Sequence, residues 1–273
     1  MIISILDKYP VISFVLITYL FSWILWMPLV ILGENLSINP TFLIILGGFG
    51  PFISAIFLTR LTKAKGSVIS WLKHIFSVRL NYKWYLFSFT LPLLAGVLTV
   101  LFYGLLNQQA VDTSLMSPFS VYPILLAFIF LLGGGQEEPG WRGYALPQLL
   151  KKYSPFIASI FIGIMWTFWH TPLFFVEGSA QHNISFVWYL VNTIAISIIF
   201  TVLYLKVQNV IPAMILHAGL NALGNYIPFQ GGTEMVYPYL TIVNCFLALV
   251  LVALLIGTNR FLQKNDNILA PGD

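Results

Sequence analysis

The 273-residue sequence predicts an all-α, polytopic integral membrane bundle of about eight transmembrane helices, and three observations carry that prediction. First, 59% of the residues are hydrophobic and only 8% are charged, whereas soluble domains are roughly 45–50% apolar and about 25% charged. Second, apolar runs recur at the roughly 20-residue length that crosses a bilayer. Third, these runs are continuous rather than alternating. That selects helices over a closed barrel, the two structures that satisfy backbone polar groups in lipid.

Taken in order, the first run covers residues 10–32. It is too long for the apolar core of a cleavable signal peptide, and no small-x-small site follows it. The second covers 41–61. A basic segment, 62–83, comes next, with Trp71, Ile75 and Phe76 set among its cations. It suits either an amphipathic helix lying on the membrane surface or a solvated loop. The remaining runs are 84–106, 121–136, 155–176, 184–205, 211–229 and 237–257. No strong internal repeat accompanies them, so the inverted-repeat signature of many transporters is not evident.

The charges orient the bundle. With the N-terminus cytoplasmic, all 13 lysines and arginines fall on the cytoplasmic side, from Lys8 and Arg60 through Lys63, Lys65, Arg79, Arg142 and Lys206 to Lys264. The opposite loops carry only the acids Glu34, Asp112, Glu177 and Glu234. The positive-inside rule then places both termini in the cytoplasm and the chain, as a single transmembrane domain over 1–273, in the cell membrane. The same placement accounts for the net charge of +4 without any nucleic-acid partner. Trp23, Trp26, Tyr82, Trp84, Trp188 and Tyr237 lie near span ends, as interfacial anchors do. A single cysteine, Cys245, excludes an internal disulfide and a cysteine-based zinc cluster.

Polar residues inside apolar spans are costly and mark functional sites. Glu137 and Glu138 close the fourth run, His170 lies in the fifth, and His217 and Asn221 lie in the seventh. In a helix the two adjacent glutamates point about 100° apart, so they serve different roles. Glu138 and Arg142 are i,i+4 with the acid first, the favourable order for an ion pair, which leaves Glu137 without a structural partner. Pro139 suits the first position of a new helix, whose positive end would then meet both carboxylates. His217 and Asn221 share one helix face. Gly133–Gly135 lacks the lysine and serine of a phosphate loop and reads as close helix packing. Asn192 and Asn244 read as interhelical hydrogen bonders. The acid, the two imidazoles and the amide together predict one buried polar pocket between the fourth, fifth and seventh helices, with a catalytic core over about 118–229. Counting residues along the fifth span, however, puts His170 far from the cytoplasmic face.

The stretches "EEPGWR", "WTFWH" and "HAGLN" together resemble the CPBP intramembrane protease family, which includes the type II CAAX prenyl proteases and abortive-infection-like proteins. The family pattern appears as Glu137-Glu138-xxx-Arg142, Trp166-xxx-His170 and His217-xxx-Asn221, with Trp166 where phenylalanine is commoner. The resemblance implies an endopeptidase working within the membrane on a peptide or a lipidated, membrane-anchored protein. By matching motif positions, Glu137 would activate the attacking water and His170 would orient it. His217 and Asn221 would stabilise the oxyanion, while Glu138 and Arg142 support the site. The residue types suit peptide hydrolysis, which needs a base for water and donors for the developing oxyanion. A zinc ion held by Glu137, His170 and His217 and a metal-free glutamate mechanism are both consistent with these residues. Two other classes compete: a non-catalytic peptide-binding scaffold or immunity protein, and a proton-coupled transporter.

Overall fold

Each apolar run expected from the sequence contains a helix in the computed structural model, which describes residues 2–62, 67–77, 82–108, 118, 120–226 and 233–264. Lys63, Lys65, Arg79 and Asp112, used above to orient the chain, lie outside the described residues. Among the described residues, five stretches are long and apolar enough to cross a membrane: Pro10–Leu32, Pro40–Thr62, Tyr82–Asn107, Phe186–Val207 and Glu234–Ile256. Pro155–Trp169 and Ile211–Leu223 are shorter apolar helices, and the fourth run forms only the 12-residue helix Val121–Leu132.

Helix α1 (Ile2–Lys8) leads into α2 (Pro10–Leu32), which begins on a proline pre-set for the first helical position. Its outward stripe is Ile12, Leu16, Leu20 and Ile24, each 59–64% exposed. Its inward face buries Ser13, Thr18, Ser22 and Trp26. Apolar outside and small or polar inside is the pattern a bilayer selects, because lipid gives no hydrophobic reason to bury leucine. Trp26 is therefore a core residue and not an interfacial anchor: its ring packs 4.9 Å from Trp169 and its N–H donates to the Ile44 carbonyl. The second run is broken at Phe49 into α3 (Pro40–Gly48), capped by Asn39, and α4 (Gly50–Thr62).

The basic segment contains α5 (Ser67–Ile75), an amphipathic helix rather than a solvated loop, with Ile69 exposed. Its buried residues, Trp71 and Ile75, face protein. Trp71 Nε1 donates to the Gly143 carbonyl at 3.0 Å, and the Ile75 carbonyl accepts from Val210 N at 2.9 Å. Helices α6 (Tyr82–Asn107) and α7 (Val121–Leu132) follow. After α7 the chain does not emerge: residues 134–147 are all buried. Arg142 is 1% exposed, so it belongs to the interior rather than to a cytoplasmic loop.

Helices α10 (Pro155–Trp169) and α11 (Phe186–Val207) pack closely. A side chain at Gly163 would meet the Ile194 backbone at 2.6 Å, so only glycine permits that approach. Ser159 donates to Thr201 at 2.8 Å, and the Thr167 and Thr193 hydroxyls pair about two turns further along. Helix α10 stops at Trp169 because Pro172 follows, and a 3-10 turn, Thr171–Phe175, replaces the rest of the expected span. Helix α12 (Ile211–Tyr226) packs against α6 and α7, and α13 (Thr233–Leu251) against α11 and α6.

Candidate active site

Three glycines end α7 and turn the chain inward. Gly134 has φ +141°, a conformation side chains rarely adopt. A methyl group there would also lie 2.6 Å from both His217 Nε2 and Asn221 Nδ2. The two nitrogens thus border one point in space, and Gly134 forms the wall they face. Its own N–H donates to Gln136 Oε1 at 2.7 Å. A 3-10 turn, Gly135–Glu137, then hands over to α8 (Glu138–Gly140) with Pro139 in its first turn, as the proline predicts. A π-helical turn, Trp141–Ala145, and α9 (Leu146–Leu150) complete the buried stretch. The Gly143 carbonyl in the π turn is the one Trp71 satisfies.

The two glutamates diverge as their adjacency requires. Glu138 Oε1 accepts from Arg142 Nη1 at 3.0 Å and pairs with His217 Nδ1 at 2.7 Å. Arg142 also donates to Ser197 at 3.2 Å, and its guanidinium lies 4.8 Å from the Trp166 ring and 4.1 Å from Phe200. A charge this deep needs such company, since an unpaired buried ion is severely penalised. Glu137 is not partnerless: Oε2 accepts from Trp166 Nε1 at 2.8 Å. That leaves its other oxygen uncommitted to the indole.

His170 caps α10 and bonds the Trp166 carbonyl through Nδ1 at 2.9 Å. A carbonyl can only accept, so the proton sits on Nδ1, and in the neutral ring Nε2 keeps its lone pair. Trp166 is the hub. Its ring lies 6.0 Å from the His170 ring and 5.1 Å from His217, and its N–H holds Glu137. Asn221 donates through Nδ2 to the Gly133 carbonyl at 2.8 Å, tying α12 to the turn after α7.

Glu137, His170, His217 and Asn221 all line one cavity of about 550 Å³. The pocket foreseen between the fourth, fifth and seventh runs is thus present. The glutamates sit on an inward-folded segment and not at the end of a continuous helix. Among the described residues no three His, Cys, Asp or Glu side chains are grouped so as to hold a metal ion. The Glu137, His170 and His217 set suited to zinc is not assembled here. Sequence reasoning missed Ser197 and Phe200, the partners of Arg142, because a serine and a phenylalanine in an apolar run carry no signal of their own. It also missed that Glu138 orients His217, a contact between residues 79 positions apart.

The fold and site define a helical membrane protein with a buried acid–imidazole centre. The chain matches the family described as Type II CAAX prenyl endopeptidase Rce1-like over residues 118–223. It is 32% identical over 247 residues to CAAX prenyl protease 2 of Methanococcus maripaludis, covering 84% of this chain and 89% of that protein. The chain belongs to the Rce1-like type II CAAX prenyl endopeptidase family, a family of intramembrane proteases.

Proposed function

We propose that the protein hydrolyses a peptide bond by water that Glu137 activates. The observation that supports this most directly is the gathering of Glu137, His170 and His217 around the single ring of Trp166 at one buried cavity. With Oε2 held by the indole, the second oxygen of Glu137 takes one proton from water, while His170 Nε2 accepts a hydrogen bond from the remaining O–H and sets its direction. The hydroxide oxygen bonds to the scissile carbonyl carbon. The oxyanion forms against His217 Nε2 and Asn221 Nδ2, whose nitrogens border one point beside Gly134. Donation by His217 Nε2 calls for the imidazolium, and the Glu138 carboxylate on Nδ1 is its counter-charge. The C–N bond then breaks as Glu137 passes its proton to the leaving nitrogen.

The substrate is a prenylated or otherwise membrane-anchored peptide, by the relative's name and by a cavity open to a bundle with apolar outer faces. Both termini and the basic segments lie on the cytoplasmic side of the cell membrane, and cleavage takes place toward that side. The family match gives no support to a scaffold or a transporter. The test is purified Glu137→Gln with a farnesylated CAAX peptide, read by mass spectrometry. Loss of cleavage by roughly 10²–10⁴-fold is expected for removal of a general base. Cleavage at the wild-type rate would refute the mechanism.

A further inference from the structure

The amide side chains that line the cavity are not all committed alike. Asn221 donates to the Gly133 carbonyl, Asn192 to the Tyr237 hydroxyl, Asn244 to Asn192 and Gln181 to the Tyr189 hydroxyl. Gln136 is held by its oxygen instead, through the 2.7 Å bond from Gly134 N. A backbone N–H can only donate, so Oε1 must face Gly134 and Nε2 must point away from it. No described residue accepts a hydrogen bond from that nitrogen. Gln136 is 5% exposed and lines the cavity, and its Nε2 is not one of the sealed interior atoms that lack a partner. The nitrogen therefore keeps open surface, with two N–H groups that the protein leaves unused. A donor this deeply placed and unmatched calls for an explanation.

Two glycines locate it. Gly134, whose N–H orients the amide, is also the wall that His217 Nε2 and Asn221 Nδ2 face. At Gly48, where α3 ends, a methyl group would lie 2.9 Å from Gln136 Nε2 and within 4 Å of no other non-neighbouring side chain. The donor thus stands between the end of α3 and the turn that carries Glu137. The N–H and Cβ directions of Gly134 diverge from one tetrahedral carbon, so this donor is presented apart from the two α12 nitrogens assigned to the oxyanion. Charge narrows what it takes. Among the described residues lining the cavity there is no lysine or arginine, and Glu137 is the next residue in the chain. An anion brought here would be buried beside a carboxylate without a cation, at high cost. A peptide carbonyl is neutral and needs a donor once it leaves water.

We propose that Gln136 is a substrate-binding residue whose Nε2 donates to a backbone carbonyl of the substrate other than the scissile one. The proposal rests on the endopeptidase reading. Gly134 N holds the amide in the required sense, so one short turn aligns the peptide, carries the base and walls the oxyanion position.

The test uses full-length Glu137→Gln protein in detergent, so that binding is read without turnover. The probes are a fluorescein-labelled, S-farnesylated CAAX peptide and versions in which one backbone carbonyl at a time becomes a thioamide, whose sulfur is a poor acceptor. Binding is followed by fluorescence anisotropy. A thioamide at one position away from the scissile bond should weaken binding about three- to tenfold, the scale of a neutral hydrogen bond. That penalty should vanish when Gln136→Met is added, because the donor is gone. Gly48→Ala sets its methyl against the same nitrogen and should shrink the same penalty, which keeps the test decisive if the methionine variant does not fold. A purely structural role for Gln136 would lower every affinity together and leave the thioamide penalties unchanged, which overturns the proposal. So does the absence of any sensitive position away from the scissile bond. Cleavage of the unmodified peptide by the wild-type chain judges the endopeptidase reading separately.

Discussion

Trp166 shows how one indole N–H can organise a site. It donates to Glu137, its carbonyl fixes the His170 tautomer, and its face receives the Arg142 guanidinium. The related motif commonly carries phenylalanine at this position, which keeps the ring but not the donor. Trp166→Phe should therefore lower kcat about tenfold, the scale of a lost hydrogen bond to a charged group, and leave KM within about twofold. Steady-state cleavage of a prenylated peptide checks this. Arg142 carries a different load. Removing it leaves Glu138 buried with His217 alone. Arg142→Met should destabilise the protein by about 3–5 kcal/mol, seen as a lowered unfolding midpoint in detergent. The same variant should also impair cleavage, because His217 loses its fixed partner geometry.

At the level of elements, the inward fold after α7 decides the site. A continuous helix through residue 136 would carry Glu137 toward the membrane surface. The glycines at 133–135 stop α7 instead, and Gly134 closes the turn against His217 and Asn221. Gly134→Ala combines an unfavourable φ with a 2.6 Å encounter at both nitrogens. It should cost at least about 100-fold in kcat/KM, since ångström-scale misplacement of catalytic groups has effects of that size. Circular dichroism of the variant should still report a helical protein. Helix α5 braces the same stretch from outside through Trp71 and the Gly143 carbonyl. Trp71→Phe should then lower stability by about 1 kcal/mol, measured by thermal unfolding, with no direct loss of a reacting group.

Across the whole molecule, an apolar core is wrapped by an apolar outer surface, unlike the polar surface of a soluble protein. Ile12, Leu16, Leu20 and Ile24 of α2 face outward, while Ser13, Thr18 and Ser22 share its inner face with Phe14, Trp26 and Leu29. The proposed orientation, with both termini cytoplasmic, can be tested directly. Cysteines introduced at Lys8 and Lys264, in a Cys245→Ala background, should react with an impermeant maleimide only from the cytoplasmic face of sealed vesicles. Labelling from the opposite face would reverse the proposed orientation and move the cleavage side with it.

The apolar runs and the identities of the polar residues were legible in the sequence, because the membrane forbids both short polar gaps and idle charges. The order of the helices follows from the same rule. So does the separation of Glu137 from Glu138, which needs only the 100° step between neighbours on a helix. Three things were decided by tertiary structure alone. Residues 134–147 lie inside the bundle rather than at its edge, α5 docks on protein through Trp71, and Glu138 belongs to His217 as much as to Arg142. Each depends on contacts between segments far apart in the chain. Local propensity cannot encode such contacts, since the partner that satisfies a buried hydrogen-bonding group is chosen by where the other helices stand.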